Sequence, residues 1–357
     1  MTVTSDRPLR VGLDLRLAAY RTAGIARYAV ELGHALARLG GVDVVPLRHA
    51  RDVVTDENEV RLRTPPHHRF EERLLRLELR LRRASFDLYH ATDFIAPDLG
   101  ETPAVATVHD LAFLRWPEHL SADALAYYRR IEASKQYTRR WITPSTWTRD
   151  ELCEQLDIPE DKVEVIPHGV PSYIATVGVV PRGERRPFFV AVGTVEPRKR
   201  YDLLLDALER IHPRPELLIA GQPGWNTDAL QHRLRTTPGV TWLRNASDQE
   251  IRRLLAGAVA LAMPSQAEGF GFPALEAMAC GTPVISSGYG ALAEVTGTAA
   301  IVPPQDDAEG WAEALSTILE DSFRWEQASR AGAARAMEFS WERAAEKTLE
   351  VYRAAVQ

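Results

Sequence analysis

The chain is poor in the residues from which covalent frameworks and metal cages are built. Of its 357 residues only Cys153 and Cys280 are cysteine, with no CxxC spacing, so neither a disulfide scaffold nor a zinc site is expected and both thiols read as small buried hydrophobes. No run of 18 apolar residues occurs, and the opening MTVTSDRPLRVGLDLRL sets charges where a secretory leader needs an unbroken apolar stretch, so a cytoplasmic protein is expected. No two aspartates stand two positions apart, which removes the Asp-x-Asp arrangement that often clamps a divalent cation, and no metal site is expected. Lysine is scarce, four of 43 basic residues, and the net charge of −6 argues against general nucleic-acid binding. Low-complexity tracts and short repeats are absent.

What is present is alternation. With 45% apolar residues the chain is long enough for two cores. The first half reads as strand 10–14, helix 24–39, strand 42–47, a basic helix 70–83, strands 87–90 and 103–108, helix 122–137, strand 140–143, a helix that Ser145 caps, and strand 163–166. From Pro187 the pattern restarts: FFVAVG, helix 201–210, strand 216–220, helix 226–235, strand 240–243, helix 248–257, strand 259–263, then strands near 283–286 and 299–302 and a helix 306–320. Such alternation implies parallel sheets. The expected fold class is therefore α/β, two doubly wound Rossmann-like domains facing across a cleft, with ligands at the carboxyl ends of the strands. The Gly-, Pro- and Arg-rich residues 170–186 read as the interdomain linker. The boundaries this gives are 1–170, 171–337 and a last helical piece, 338–357.

Residues 264–286, PSQAEGFGFPALEAMACGTPVIS, carry the most chemistry. Glu268 and Glu276 bracket a glycine-rich turn in which Gly269 and Gly271 let the backbone approach a ligand, Pro273 suits a first helical position, and Gly281 suits the exit. Amides at the start of that helix, about 273–280, face an anion, and the two carboxylates accept from hydroxyls. Phosphate and diol together are what a nucleoside-diphosphate sugar offers. Either glutamate alone reads more simply as a solvated surface residue; the GFGFPALEAMACGTPV between and beyond them is what makes the pair informative.

Glu268, seven residues, then Glu276 resembles the Glu-x7-Glu signature of retaining glycosyltransferase family 4, which has the GT-B fold. The likeness runs from Val11 to about Val302 and is closest to bacterial mannosyl- and rhamnosyltransferase-like members, through VHDLAFLRWPE and GTVEPRK. It implies a retaining, metal-independent transfer of a hexose to an acceptor hydroxyl in polysaccharide, glycolipid or natural-product synthesis, with no cofactor beyond the donor. GDP-mannose leads as donor, with UDP- and dTDP-hexoses behind it. It also implies that the first domain serves the acceptor, the second holds the donor, and the last helix, 341–355, crosses back to the first. By the same resemblance Glu276 holds the ribose diol, and Glu268 the donor-sugar hydroxyls, with the amides of Gly269, Phe270 and Gly271 nearby. His109 faces the sugar from the first domain.

Other residues fill in this outline. Arg198 and Lys199 follow a buried strand, where a planar fork and a point charge could neutralise a diphosphate, while Arg200 reads as solvated. Many family members carry an Arg where this chain has Thr194, so Arg198 is the substitute. His109 and Asp110 end an apolar strand. The imidazole is read as a hydrogen-bond donor to a sugar hydroxyl, or as acting through its own backbone carbonyl and ring, and Asp110 either as acceptor-binding group or base or as a turn cap. Ala23 and Gly24 lie in a loop resembling the family's glycine-rich one, though with a single glycine where many members have two; Arg27 and Tyr28 beside it either pack or face solvent. Arg244 and Asn245 fall where relatives contact the nucleobase, and Asn245 could equally cap the following helix.

Three rivals stand beside this reading. Gly269-x-Gly271-x-x-Ala274 with Glu294 downstream fits a dehydrogenase fingerprint weakly, since several residues separate the strand from the first glycine. The others are a nucleotide-sugar hydrolase or epimerase of the same fold and a binding module without turnover. Finally, RFEERLLRLELRLRR, residues 69–83, is basic and amphipathic and could lie on anionic lipid. The plainer expectation is a surface helix whose leucines enter the core and whose Glu71, Glu72 and Glu78 weaken the basic face.

Overall fold

A computed structural model describes residues 7–20, 24–56, 58–175, 179–225 and 227–357. The chain divides into two compact units, one formed by the residues up to Gly169 together with Ser340–Gln357, the other by Val170–Phe339.

The first unit holds a seven-stranded parallel sheet in the order β3-β2-β1-β4-β5-β6-β7. Its strands are β1 (Leu9–Asp14), β2 (Val42–His49), β3 (Val60–Leu62), β4 (Leu88–Ala91), β5 (Ala104–Thr107), β6 (Thr138–Thr143) and β7 (Val163–Val165). The central strands β4 and β5 are buried along their whole length, as strands covered on both faces must be. Helix Trp341–Ala355 packs on helix Gly24–Leu39 and on β5 and β6, burying Trp341, Leu349, Val351 and Tyr352. Gly169 is required where the chain passes that helix, because a Cβ there would meet the Trp341 backbone nitrogen at 2.4 Å.

The second unit holds a five-stranded parallel sheet, order β10-β9-β8-β11-β12. Its strands are β8 (Phe188–Val192), β9 (Glu216–Ala220), β10 (Val240–Leu243), β11 (Ala260–Met263) and β12 (Val284–Ser286). Of residues 170–186, expected as a linker, some enter this unit's core: Ile174 is fully buried, and Arg185 is buried with no acidic partner among the described residues. The Arg185 guanidinium instead donates to carbonyls ending two helices, Leu255 at 3.3 Å in the last turn of Asp248–Gly257 and Ala258 at 3.0 Å just after it, and Cys280 at 2.9 Å after Phe272–Ala279. It also donates to Thr282 Oγ1 at 2.7 Å and lies over the Trp325 ring. Burial pulls its pKa down to about 10, still charged at neutrality, and a cation at two helix carboxyl ends meets both dipoles favourably.

Local differences from the sequence reading have local causes. The expected helix 122–137 is two short ones, Ala122–Tyr128 and Ile131–Ser134, and the expected strand near 299–302 is a single bridge from Ile301 to Ile285. Helix Asp248–Gly257 starts with a capping box between Ser247 and Glu250, so Asn245 is not its cap. Helix Ser322–Ala336, unanticipated, is capped by Asp321. In the basic helix, Glu71–Leu81, only Leu75 and Leu79 enter the core; Leu74, Leu77 and Leu81 are exposed, contrary to the plainer expectation.

Three of the histidines buried in the first unit, His90, His109 and His168, gather around Tyr28. His90 bridges Tyr352 and Thr107, at 2.6 and 2.8 Å, and His168 stacks on Trp341. Burial lowers the pKa of each: His90 to about 3, His109 below its ordinary value, His168 well below it, with the charge of His109 adding to the effect on the other two. The unfolded chain takes up these protons near pH 6.5 and the folded chain does not, so stability falls as pH drops below about 6.5, by up to about 1.4 kcal/mol per pH unit per histidine. Asp14 and Glu268, held below the ordinary carboxylate range, lose their contribution only at lower pH. A urea midpoint that falls between pH about 7.5 and about 5.5 is therefore expected, and an unchanged midpoint would show that these imidazoles are not held neutral.

Candidate active site

The second sheet begins at β8, builds outward through β9 and β10, then returns to the other side of β8 with β11. The loops leaving β8 and β11 therefore diverge from neighbouring strand ends, the place where doubly wound folds bind ligands. Residues 193–200 and 264–271 occupy these loops and are tied together, with the Gln266 amide donating to the Arg198 carbonyl at 2.8 Å.

Side chains on these loops form a charged cluster. Lys199 Nζ donates to Glu268 Oε1 at 2.5 Å, and Arg198 donates to Glu268 Oε2 at 3.3 Å, to the Ala267 carbonyl at 2.7 Å and to Glu196 at 2.8 Å. Lys199 and Glu268 are both buried. Burial raises the Glu268 pKa, but Lys199 and then Arg198 outweigh it, helped by a hydrogen bond from Ser265, and the net shift is downward. Glu268 is thus an ionised carboxylate with fixed orientation. Gly271, with φ of 102°, caps helix Phe272–Ala279, and a Cβ there would sit 2.6 Å from the Leu292 side chain, so both its conformation and its surroundings select glycine. Glu276, on that helix, is only 1% exposed.

Arg244 and Asn245 sit past the end of β10, two strands from β8, and are exposed. Arg244 stacks on Trp242 and bonds Gln231, and Asn245 accepts from Gln222 at 2.5 Å. They form a separate polar edge at the same carboxyl side of the sheet.

In the first unit, His109 follows β5. Its Nε2 lies 2.8 Å from the Thr92 carbonyl, which can only accept, so Nε2 carries the proton and Nδ1 is left as the ring's acceptor. The expectation that this ring donates to a hydroxyl is thereby corrected: the neutral imidazole can accept. Tyr28, Phe94 and His168 surround it, and Tyr28 bonds Thr107 at 2.8 Å, so Tyr28 packs. Asp110 accepts from the Ala112 amide at 3.0 Å, the turn-capping geometry. Gly24 starts helix Gly24–Leu39; Ala23 lies outside the described residues.

Beside them lies a network that the motif reading missed. Arg16, buried, bonds Asp14 at 2.6 Å, Glu71 at 2.7 Å and the Thr64 carbonyl, while Tyr89 donates to Asp14 at 2.6 Å. His67 pairs with Asp93. Asp14 and Arg16 directly at a strand's carboxyl end were a usable signal; His67, Glu71 and Asp93 meet only through the fold. Among the described residues, no three His, Cys, Asp or Glu side chains converge as a metal site.

Comparison with known proteins places the chain. The family described as glycosyl transferases group 1 matches residues 178–336, and glycosyltransferase family 4 matches residues 22–172. The chain is 30% identical to the MMP alpha-(1->4)-mannosyltransferase of Mycolicibacterium hassiacum, over 77% of this chain and 72% of that one. It belongs to glycosyltransferase family 4. This glycosyltransferase is also 29% identical to O-antigen chain mannosyltransferase B of Escherichia coli, over 94% of this chain and 97% of that one. Among solved structures, Anabaena Alr3699/HepE in complex with UDP and glucose superposes with a TM-score of 0.74 at 19% identity, covering 97% of this chain and all of that one. The two parallel α/β sheets are those of the GT-B class, as expected.

The buried pair can be tested directly. Lys199→Met leaves Glu268 buried with only the longer 3.3 Å contact to Arg198 and should cost about 3 kcal/mol of stability, whereas Lys199→Met/Glu268→Gln should recover most of it. Denaturant midpoints of the single and double variants measure this, and equal losses in both would show that the charges are not coupled.

Proposed function

We propose that this glycosyltransferase moves a hexose, mannose in first place, from a nucleoside-diphosphate sugar to an acceptor hydroxyl, with retention at the anomeric carbon and without a metal ion. GDP-mannose leads as donor, ahead of UDP- and dTDP-hexoses; the two mannosyltransferase relatives support that order, and the HepE complex supports a nucleotide-sugar donor. The observation that carries the reading is the convergence of Arg198, Lys199 and Glu268 where the loops after β8 and β11 part, beside the amino end of helix Phe272–Ala279.

In this reading the diphosphate meets Arg198 and Lys199 together with the amides of Gly269, Phe270 and Gly271, all of which favour developing negative charge on the leaving group. Glu268, already ionised and oriented, accepts from donor-sugar hydroxyls. Glu276 takes the ribose diol, and Arg244 and Asn245 take the base. His109 serves the transferred sugar as a neutral ring with a backbone carbonyl alongside, and Asp110 together with the Gly24 loop serves the acceptor. Acceptors of the polysaccharide, glycolipid and natural-product kind all offer the hydroxyl required. The reaction belongs in the cytoplasm, where nucleotide sugars are made.

Glu276→Ala should weaken GDP binding by about tenfold or more, the weight of hydrogen bonds to a charged group, as read by calorimetry. Glu268→Gln and His109→Ala should instead lower kcat with little change in nucleotide affinity, because their contacts are on the sugar side. The anomeric configuration of the product by NMR, with activity surviving EDTA, tests retention and metal independence. Uniform loss of nucleotide affinity in all three variants would assign these residues to folding, and release of free sugar without acceptor would replace transfer with hydrolysis.

A further inference from the structure

The basic helix of the first unit carries a second apolar face. Phe70, Leu74, Leu77 and Leu81 follow one another at spacings of four, three and four, so they line one side of helix Glu71–Leu81 and the residue before it. They are 47, 41, 55 and 74% exposed. Leu75 and Leu79, which anchor the helix to the sheet, lie roughly 150° round the axis. One stripe therefore builds the core, and the other has no role in it.

Charge flanks the outer stripe with a single sign. Arg69, Arg73, Arg80, Arg82 and Arg83 are exposed, and Arg69 lies over the Phe70 ring at 4.5 Å. The helix's three glutamates are turned to other work. Glu71 is buried against Arg16 and the His67 amide, and Glu72 pairs with Arg130. Glu78 accepts from the backbone amides of Arg63 and Thr64 and from the Thr64 hydroxyl, its contact with Arg82 being the long one at 3.4 Å. Burial raises the Glu78 pKa, but those hydrogen bonds prevail and lower it, so it stays an ion committed to the loop. The outer face is thus apolar and cationic with its carboxylates withdrawn.

We propose that this face, Phe70, Leu74, Leu77 and Leu81 with Arg69, Arg73 and Arg80, docks the protein on an anionic lipid surface. An exposed aromatic-aliphatic stripe rimmed by arginine matches the boundary between acyl chains and acidic headgroups, where the leucines leave water and the guanidiniums meet phosphate. Among the described residues no helix is long and apolar enough to cross a membrane, so the attachment is interfacial and reversible. It does not depend on which sugar is transferred.

Flotation of the full chain with vesicles tests this, using phosphatidylcholine alone and phosphatidylcholine mixed with phosphatidylglycerol. The wild type should float with the anionic vesicles only and be released as salt is raised. Leu77→Glu/Leu81→Glu should abolish flotation, and Arg73→Glu/Arg80→Glu should weaken it at least several-fold. Both pairs are exposed, so melting temperature and nucleotide affinity should be unchanged, which separates this result from any failure of the donor-site assignment. The proposal is overturned if the wild type ignores anionic vesicles, or if either variant floats as well as the wild type. It is equally overturned if lipid-free protein sediments as a dimer that Leu77→Glu/Leu81→Glu dissolves, for then a second copy covers the face.

Discussion

The charged cluster of the second unit follows from one reversal of direction in its five-stranded sheet. Because the chain lays β9 and β10 on one side of β8 and then returns to place β11 on the other, two loops separated by some seventy residues leave adjacent strand ends and must pack together. Each brings charges into a confined space where an unpaired ion costs several kcal/mol, and the only inexpensive outcome is pairing. Lys199 on Glu268 is that pairing. It fixes the carboxylate's orientation, keeps it ionised, and pins the turn that Gly271 hands to the next helix. Arg185 completes the arrangement from the far end, gathering the carbonyl termini of two helices around one buried guanidinium. The helix presenting Glu276 is thereby held at both ends.

The first unit solves the same problem with neutral groups as well as charged ones. Around β5 the polar side chains His90, Tyr28, Thr107 and Tyr352 are linked by short hydrogen bonds within a buried core, His109 packs on Tyr28, and burial keeps the imidazoles uncharged. One strand-end away, Arg16 is buried among Asp14, Glu71 and the Thr64 carbonyl. Such networks are expensive unless fully satisfied and, once satisfied, allow one arrangement of the loops that bear them. A site whose side chains are oriented before substrate arrives needs rigid supports of this kind.

Most of this architecture was readable from the sequence because it is periodic. Strand-and-helix alternation, the strand end before His109, the glycine turn and the Pro273 entry into helix Phe272–Ala279 are local patterns, and local physics sets them. What escaped was what depends on direction. Residues 170–186 look like a linker by composition, yet Ile174 and Arg185 are fully used by a core whose other walls, Cys280, Thr282 and Trp325, are about a hundred residues away or more. Lys199 and Arg198 were legible as cations at a strand end, but not as the partners of Glu268, since only strand order brings them there. The three-residue β3 was too short to show periodicity. In the basic helix the glutamates seemed to dilute the positive face; their partners on neighbouring segments turn them away from it, and no sequence pattern reports that.

One further feature concerns how the chain is threaded. The second unit begins at Val170 and ends at Phe339, and the Val170 amide reaches the Phe339 carbonyl at 3.4 Å, so its two ends lie side by side. The first unit, for its part, resumes at Ser340 with a helix whose Trp341 backbone nearly touches Gly169. In gene-architecture terms the second unit is an inserted cassette, and the host closes again almost where it was opened. Loop-closure entropy for such a joint is small. Exchange of the whole cassette between relatives would then leave the host's last helix in register, giving the second unit's loops a route to change without redesign of the first unit.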